Sequence, residues 1–200
     1  SDETYRRVLA RWSLRDGVST LLFVGQMDFK KNPHLILRAC ALLRDQGEDF
    51  QLVMAGAGQD LERLKALAAS LNLQDRVLFT GFVGDREEIL SLYRRADLLV
   101  FPSVYDNAPM VVREAAAMGT PALLVRGSCS AEGVTHGDNG FLCEADPASI
   151  ASGIMEALPR AARAGARARD TIPIPWALLM EQVLERYRRL IARHAERSPA

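Results

Sequence analysis

Two acidic side chains, Asp106 and Glu114, flank the expected start of a helix. An apolar run ends just before Pro102, a loop carries Asp106, and an amphipathic run opens near Pro109, a residue suited to the first helical position. Free backbone N–H groups and the positive end of the helix dipole bind anions there. Ionised carboxylates accept hydrogen bonds from hydroxyl groups. The pattern suits a sugar joined to a phosphate.

The same residues also have an ordinary structural interpretation. Asp106 could simply open a turn, as aspartate often does, and Glu114 could be a solvated helical residue beside Arg113. The residue types alone leave both interpretations open.

A glycine turn and two lysines follow the apolar run that ends at Gly25. A lysine near a helix start can bind phosphate as a mobile point charge, although a lysine pair in a loop is more often merely solvated. Either Lys30 or Lys31 could serve on these grounds.

Several cofactor and metal motifs are missing from the sequence. Gly56-Ala57-Gly58 follows a strand, but Leu61 replaces the third glycine of a dinucleotide fingerprint. There is no phosphate-binding Gly-x-x-x-x-Gly-Lys-Ser/Thr loop, no Gly-x-Ser-x-Gly nucleophile motif and no Asp-x-Asp pair for a metal. The three histidines are dispersed. We therefore expect metal-independent chemistry without a cofactor.

Alternating apolar and amphipathic runs position these residues. The pattern predicts an α/β fold, a Rossmann-like parallel sheet of about six strands with helices on both faces. The predicted strands are Thr20–Gly25, Gln51–Ala55, Arg76–Phe79, Leu98–Phe101, Pro121–Val125 and Gly140–Cys143. The predicted helices are Pro33–Gln46, Asp60–Leu71, Asp85–Arg95 and Pro109–Met118. Three glycines are expected at positive φ just past an element, Gly47, Gly81 and Gly119.

The C-terminal region is predicted to be helical throughout. Residues 147–170 are rich in Ala and Arg, typical of surface helices, and a proline-containing break at 172–175 separates them from a helix over Trp176–Ala195. That helix carries an apolar stripe that needs a partner surface: Trp176, Leu179, Val183, Tyr187, Leu190 and Ile191. The predicted divisions are an N-terminal linker or helix over 1–18, the main domain over 19–172 and the last helix over 173–200.

The overall composition restricts the setting of the protein. Two hundred residues, 48% of them hydrophobic, fit one domain with a sizeable core. Basic and acidic residues balance at 25 each, so nucleic acid is not an expected partner. The odd set of three cysteines indicates a reducing compartment. No signal or membrane-spanning pattern is present, which predicts a soluble, cytoplasmic protein.

The segment from Pro102 to Pro121 resembles the signature of the group 1 retaining glycosyltransferases. In that signature Pro-Ser precedes an acidic residue, seven residues follow, and a second acid begins Glu-Ala-x-x-x-Gly-x-Pro. The resemblance implies catalytic-site roles for Asp106 on the donor sugar and Glu114 on the ribose. It also implies that the backbone between them binds the sugar and diphosphate, through Asn107, Ala108, Met110 and Val111.

Three other segments match the family in order and spacing. Lys31 matches the lysine of a Gly-Arg-x-x-x-x-Lys loop that binds the diphosphate, but Gln26 replaces its arginine. The resemblance further implies that the backbone at Gly56 and Gly58 approaches the nucleotide closely. It also implies that Gly81, Phe82 and Val83 flank the base, where the phenyl ring could stack on the base or simply pack in the protein.

The resemblance implies the C-terminal, nucleotide-sugar-binding half of a two-domain GT-B glycosyltransferase. The expected donor is a nucleotide-diphospho-sugar such as a UDP-sugar, and the expected products are polysaccharide, lipopolysaccharide or glycolipid. The resemblance implies that the acceptor-binding half lies outside this sequence. We therefore expect the donor-binding half alone to be nearly inactive, and any membrane contact to be made through the acceptor-binding half. Aspartate at position 106 has a shorter reach than the family's glutamate, and Pro109 lacks a backbone donor.

Two alternatives remain beside the glycosyltransferase interpretation. One is a non-catalytic nucleotide-sugar-binding or scaffold module with a degenerate site, which Gln26 and Pro109 would explain. The other is an epimerase of the same fold, which the acidic pair at positions 106 and 114 disfavours.

Overall fold

Six parallel strands form one sheet in the computed structural model, which describes residues 2–173 and 176–197. The side chains at 4, 176–179, 182 and 192–197 lie outside that description. The sheet order is β3-β2-β1-β4-β5-β6, with every pair parallel. The strands are β1 Ser19–Val24, β2 Phe50–Ala55, β3 Val77–Gly81, β4 Leu98–Phe101, β5 Ala122–Val125 and β6 Phe141–Cys143.

Helices lie before β1, between most of the strands and after β6. They are α1 Asp2–Arg11, α2 Pro33–Asp45, α3 Leu61–Ser70, α4 Arg86–Arg95, α5 Met110–Ala117, α6 Pro147–Ala157, α7 Ala161–Thr171 and α8 Trp176–Arg197. The helix α2 contacts α3 and α6, while α4 contacts α1 and α5, and α5 contacts α7. Right-handed crossovers place these two sets on opposite faces of the sheet. The doubly wound, Rossmann-like fold expected from the sequence is confirmed.

The sheet is the centre of the core because its inner strands are covered on both faces. All six residues of β2 and all four of β4 are buried. Phe23 and Phe101 stack across neighbouring strands with ring centroids 6.0 Å apart. Such continuous apolar strands are typical of parallel sheets between helices.

The predicted element boundaries agree with the structure to within about two residues, and the β4 bounds agree at both ends. One local prediction is wrong. Pro109 is not the first helical residue but the residue before the helix, with φ −63° and ψ 131°. Its fixed φ is compatible with either position, and the extended ψ sets the direction in which α5 begins. The three glycines predicted at positive φ are confirmed.

The N-terminal segment packs on the domain. Val8 is buried, and Trp12 donates its indole N–H to Glu88 on α4 at 2.9 Å. Arg11 forms an ion pair with the same carboxylate at 3.0 Å. The region predicted as a linker or helix is therefore a helix docked against α4.

The last helix, α8, is present as predicted, and four side chains of its predicted stripe are exposed: Val183, Tyr187, Leu190 and Ile191. The Trp176 and Leu179 side chains fall outside the described residues. Its role as a helix crossing to another domain stays a prediction. Within the described ranges, no helix is both long enough and apolar enough to cross a membrane.

Candidate functional site

The strand order creates a crevice between the carboxyl ends of β1 and β4. The chain leaves β1 toward β2 and leaves β4 toward β5, so the two connections diverge from neighbouring strands. Ligands of open α/β sheets bind at such a switch point. The Asn32 side chain donates a 3.0 Å hydrogen bond to the Pro102 carbonyl, which ties the two loops together.

The loop after β1 is fixed by two aspartates. A 3-10 turn over Phe29–Lys31 begins after Asp28, whose carboxylate accepts a hydrogen bond from the Lys30 N–H at 2.9 Å. The carboxylate of Asp60 accepts another from the Phe29 N–H at 3.0 Å. These bonds fix the turn that places Lys31.

The structure brings Lys31 and Asp106 into direct contact. The ammonium group forms an ion pair with Oδ1 of Asp106, and both side chains are largely shielded, with exposures of 26% and 18%. The other oxygen, Oδ2, is buried and accepts no hydrogen bond from any described residue. The neighbouring Lys30 is exposed. The sequence identified both members of this pair, but it did not predict that they pair with each other.

Glu114 is held by two side chains of α4. The Tyr93 hydroxyl donates to Oε2 at 3.1 Å, and Arg86 donates to Oε1 at 2.8 Å. Burial raises the pKa of the Tyr93 phenol far above its usual range, and the adjacent carboxylate raises it further. The hydrogen bond with Glu114 raises the pKa of Arg86. The phenol therefore stays a hydrogen-bond donor, and the guanidinium stays charged.

The start of α5 follows the carboxyl end of β4 through an exposed loop. Asn107 and Ala108 are exposed, and Met110 is 64% exposed. Ala108 has φ 46°, a left-handed conformation that is uncommon for a residue other than glycine. The first amides of the helix have no intrahelical partner, so Met110 and Val111 can supply donors to an anion. Pro109 supplies none.

A cavity of about 340 Å³ lies beside the crevice. Segments from three strand ends and α4 form it, and its lining residues are Val24, Gly25, Gln26, Ala55, Gly56, Ala57, Phe82, Val83 and Ile89. Its volume is in the range of small-molecule sites. Phe82 is 80% exposed, so its ring lines this opening and is not a core residue.

Gly56 and Gly58 allow two loops to run side by side. A Cβ on Gly56 would lie 1.8 Å from the Gly25 carbonyl oxygen, and one on Gly58 would lie 2.5 Å from that of Met27. Backbone hydrogen bonds of 3.0 Å run from the Gly25 N–H to the Ala55 carbonyl and from the Met27 N–H to the Ala57 carbonyl. The close approach expected at these glycines is observed, but between the two loops that border the cavity.

Three residues of the site were missed by sequence reasoning. Arg86 and Tyr93 bind Glu114, and Asn32 joins the loops. An asparagine before Pro33 marks a helix start, which is a signal for a cap but not for its contact with Pro102. The spacing of Arg86 and Tyr93 places them two turns apart on one face of a helix, yet nothing in the sequence identifies the facing carboxylate.

The described residues contain no group of three or more His, Cys, Asp or Glu side chains arranged to hold a metal ion. The chemistry available at the crevice is that of one ion pair, one carboxylate held by a phenol and a guanidinium, and helix-start amides.

Sequence comparison decides the family. The model described as "Glycosyl transferases group 1" matches residues 7–170. The chain belongs to this family. Among curated relatives, a glycogen synthase from Mycobacterium tuberculosis is 32% identical over 201 residues, which cover 95% of this chain and 48% of the synthase. The group 1 chain described here thus spans about half the length of that relative.

Solved structures confirm the fold of this glycosyltransferase chain as one half of the GT-B architecture. HepE from Anabaena, crystallised with UDP and glucose, aligns with a TM-score of 0.77 at 20% identity over 94% of this chain and 52% of HepE. The C-terminal domain of a group 1 family protein from Francisella tularensis aligns with a TM-score of 0.72 at 19% identity, covering 83% of this chain and 89% of that domain.

Proposed function

We propose that this chain is the donor-binding half of a retaining, metal-independent glycosyltransferase that moves a sugar from a nucleoside diphosphate to an acceptor. The observation that carries the proposal is the direct ion pair of Lys31 with Asp106, which brings the loops after β1 and β4 together at the switch point. The start of α5 and Glu114 follow Asp106 in the same segment of the chain. Each of these groups suits a different part of a nucleotide sugar.

The assignments follow the chemistry of each group. The cavity beside Phe82 and Val83 takes the base, because it is bordered by apolar side chains and backbone. Glu114 accepts the ribose hydroxyls. Lys31 and the amides at 110 and 111 bind the diphosphate.

Asp106 takes the sugar in this scheme. Its Oδ2 atom is buried and has no donor among the described residues, a condition that buried polar atoms rarely keep. A hydroxyl group of the donor sugar would satisfy it. The other oxygen is bonded to Lys31, so the pair links the sugar position to the diphosphate position.

The reaction breaks the bond between the sugar C1 and the diphosphate oxygen, which keeps the electron pair. An acceptor oxygen forms the new bond to C1 on the same face, and its proton passes to the departing diphosphate oxygen. Charge develops on the departing diphosphate, where Lys31 and the helix-start amides stabilise it. Because Gln26 is uncharged, Lys31 is the one cation at the two positions where the family's diphosphate loop has Arg and Lys.

The whole protein would add an acceptor-binding domain. HepE is known in complex with UDP and glucose, and a glycogen synthase is among the relatives, which supports a UDP-sugar donor and a polysaccharide product. Lipopolysaccharide and glycolipid are the other proposed products. The chain alone lacks acceptor contacts and cleft closure, so we expect weak donor binding and little turnover. The proposed setting is the cytoplasm, with any membrane contact made through the acceptor domain.

The test is calorimetric titration of Glu114→Gln with UDP and with inorganic pyrophosphate. Losing a charge-assisted bond to the ribose costs about 1.5–3 kcal/mol, so UDP should bind more weakly while pyrophosphate should lose no affinity. Glu62→Gln, an exposed glutamate on α3, is the matched control. Equal losses for both ligands would remove the ribose assignment.

A wider panel separates this proposal from a scaffold module. The unmutated chain should bind at least one member of the UDP, GDP and ADP series. Binding of none of these nucleotides or their sugars at millimolar concentration would overturn the donor-site proposal and favour the non-catalytic module.

A further inference from the structure

Both oxygens of Glu114 are already bonded in the chain itself. Oε2 accepts from the Tyr93 hydroxyl and Oε1 from the Arg86 guanidinium. These donors lie seven residues apart on α4, which is about two helical turns, so they reach α5 from the same face. The carboxylate is therefore held from both ends by one neighbouring helix.

The two donors differ in their surroundings. The Tyr93 residue is 0% exposed, whereas the Arg86 side chain is 68% exposed and the Glu114 side chain is 18% exposed. A buried hydroxyl has few alternative partners and fixes the carboxylate firmly, while an exposed guanidinium can move aside. The phenol determines the orientation, and the guanidinium balances the charge.

We propose that Tyr93 and Arg86 are positioning residues that orient the Glu114 carboxylate toward the ribose of the donor. The proposal rests on the assignment of Glu114 to the ribose. A carboxylate oxygen has two acceptor sites, so Oε2 can keep the Tyr93 bond and still accept a ribose hydroxyl. Ribose binding then requires no rotation of the Glu114 side chain, since the phenol has already set it.

Arg86 has a second effect on the same carboxylate. An uncompensated carboxylate beside the diphosphate site would repel the ligand, and the adjacent guanidinium offsets that repulsion. This matters in a chain that has glutamine at position 26 and has Lys31 paired with Asp106. The formal charges of Glu114, Arg86, Lys31 and Asp106 sum to zero.

The main test is Tyr93→Phe, which removes one buried hydroxyl and keeps the ring. Calorimetry on the 200-residue chain should show UDP binding weakened about five- to tenfold and pyrophosphate binding changed by less than about twofold. The same substitution in a Glu114→Gln background should have less than about a twofold effect on UDP.

Other outcomes separate the two levels of the proposal. If the unmutated chain binds UDP and Tyr93→Phe weakens UDP and pyrophosphate equally, or acts undiminished in the Glu114→Gln background, the positioning role is wrong while the donor site stands. If the unmutated chain binds no nucleotide, the donor site fails and the positioning role fails with it.

Arg86→Gln provides a second test that does not disturb the core, since this side chain is exposed. We expect UDP binding to weaken about two- to fivefold at low salt, with the loss absent in the Glu114→Gln background. Arg94→Gln is the control, because Arg94 lies on the same helix and pairs with Asp2 at 2.9 Å. Equal effects of the two arginine variants would overturn the role of Arg86.

Discussion

The cavity side and the acidic side of the crevice are built from different kinds of groups. The cavity borders on backbone that two glycines allow to come together, joined by hydrogen bonds between the β1 and β2 loops. The acidic side consists of charged side chains that bond one another, Lys31 with Asp106 and Arg86 with Glu114. The backbone of the cavity side is part of the fold, whereas the side chains of the acidic side can be substituted without unfolding the chain. Substitutions on the two sides should therefore differ in kind.

The largest effect is expected on the cavity side, from Gly56→Ala. The new methyl group would meet the Gly25 carbonyl oxygen at 1.8 Å, and φ is +146°. We expect a loss of at least about 3 kcal/mol in the free energy of unfolding, measured by urea denaturation. Gly127→Ala shares a positive φ but meets nothing within 4 Å, and should cost about 1–2 kcal/mol. Similar costs for both variants would show that no tight contact exists.

The largest effect on the acidic side is expected from Lys31→Ala. The variant removes the loop's one motif cation and leaves the Asp106 carboxylate, 18% exposed, without its partner. UDP binding should weaken by about 1.5–3 kcal/mol or fall below detection, as followed by calorimetry. Lys30→Ala should have little effect, since Lys30 is exposed. Unchanged binding in the Lys31 variant would contradict the diphosphate assignment.

Asp106→Asn should change the binding of UDP and of a nucleotide sugar in opposite directions. Removing the carboxylate frees Lys31 for the diphosphate, so UDP should bind slightly more tightly. A nucleotide sugar loses a charged acceptor, so the affinity of UDP-glucose relative to UDP should fall about tenfold. Competition titrations give this ratio directly. A ratio equal to that of the unmutated chain would mean that Asp106 only shapes the loop.

The smallest effect is expected from Gln26→Arg, which restores the arginine of the family motif. Gln26 is exposed beside the cavity, so a new cation there acts through screened solvent. UDP binding should strengthen about two- to fivefold at low salt and return toward the unmutated value at high salt. Gln74→Arg, placed at the amino ends of the strands, is the control. Equal gains from both would indicate a general charge effect.

The fold was more predictable than the site. Apolar runs of three to six residues with glycine turns were enough to locate β1 to β6, because strands that form the core of a parallel sheet need a continuous apolar sequence. The position of Pro109 was one residue off, since its fixed φ fits both sides of a helix start. Helix α8 was predictable from its period alone.

The individual members of the site were predictable, but their contacts were not. Lys31 and Asp106 were identified from separate motifs 75 residues apart, and only the sheet order brings the two loops together. Tyr93 looks in the sequence like any buried residue of an amphipathic helix. Its contact with Glu114 depends on how α4 packs against α5, which no local pattern reports.

The hydrogen bond from the Asn32 side chain to the Pro102 carbonyl also affects how fast a nucleotide can bind. It joins the loops that carry Lys31 and Asp106 through the protein's own groups, so the backbone has no closing step to make at this point. Only side chains need to exchange partners, and such rotations take picoseconds to nanoseconds. Association within this half of the protein should then follow a single exponential whose rate rises in proportion to nucleotide concentration, with encounter as the slow event.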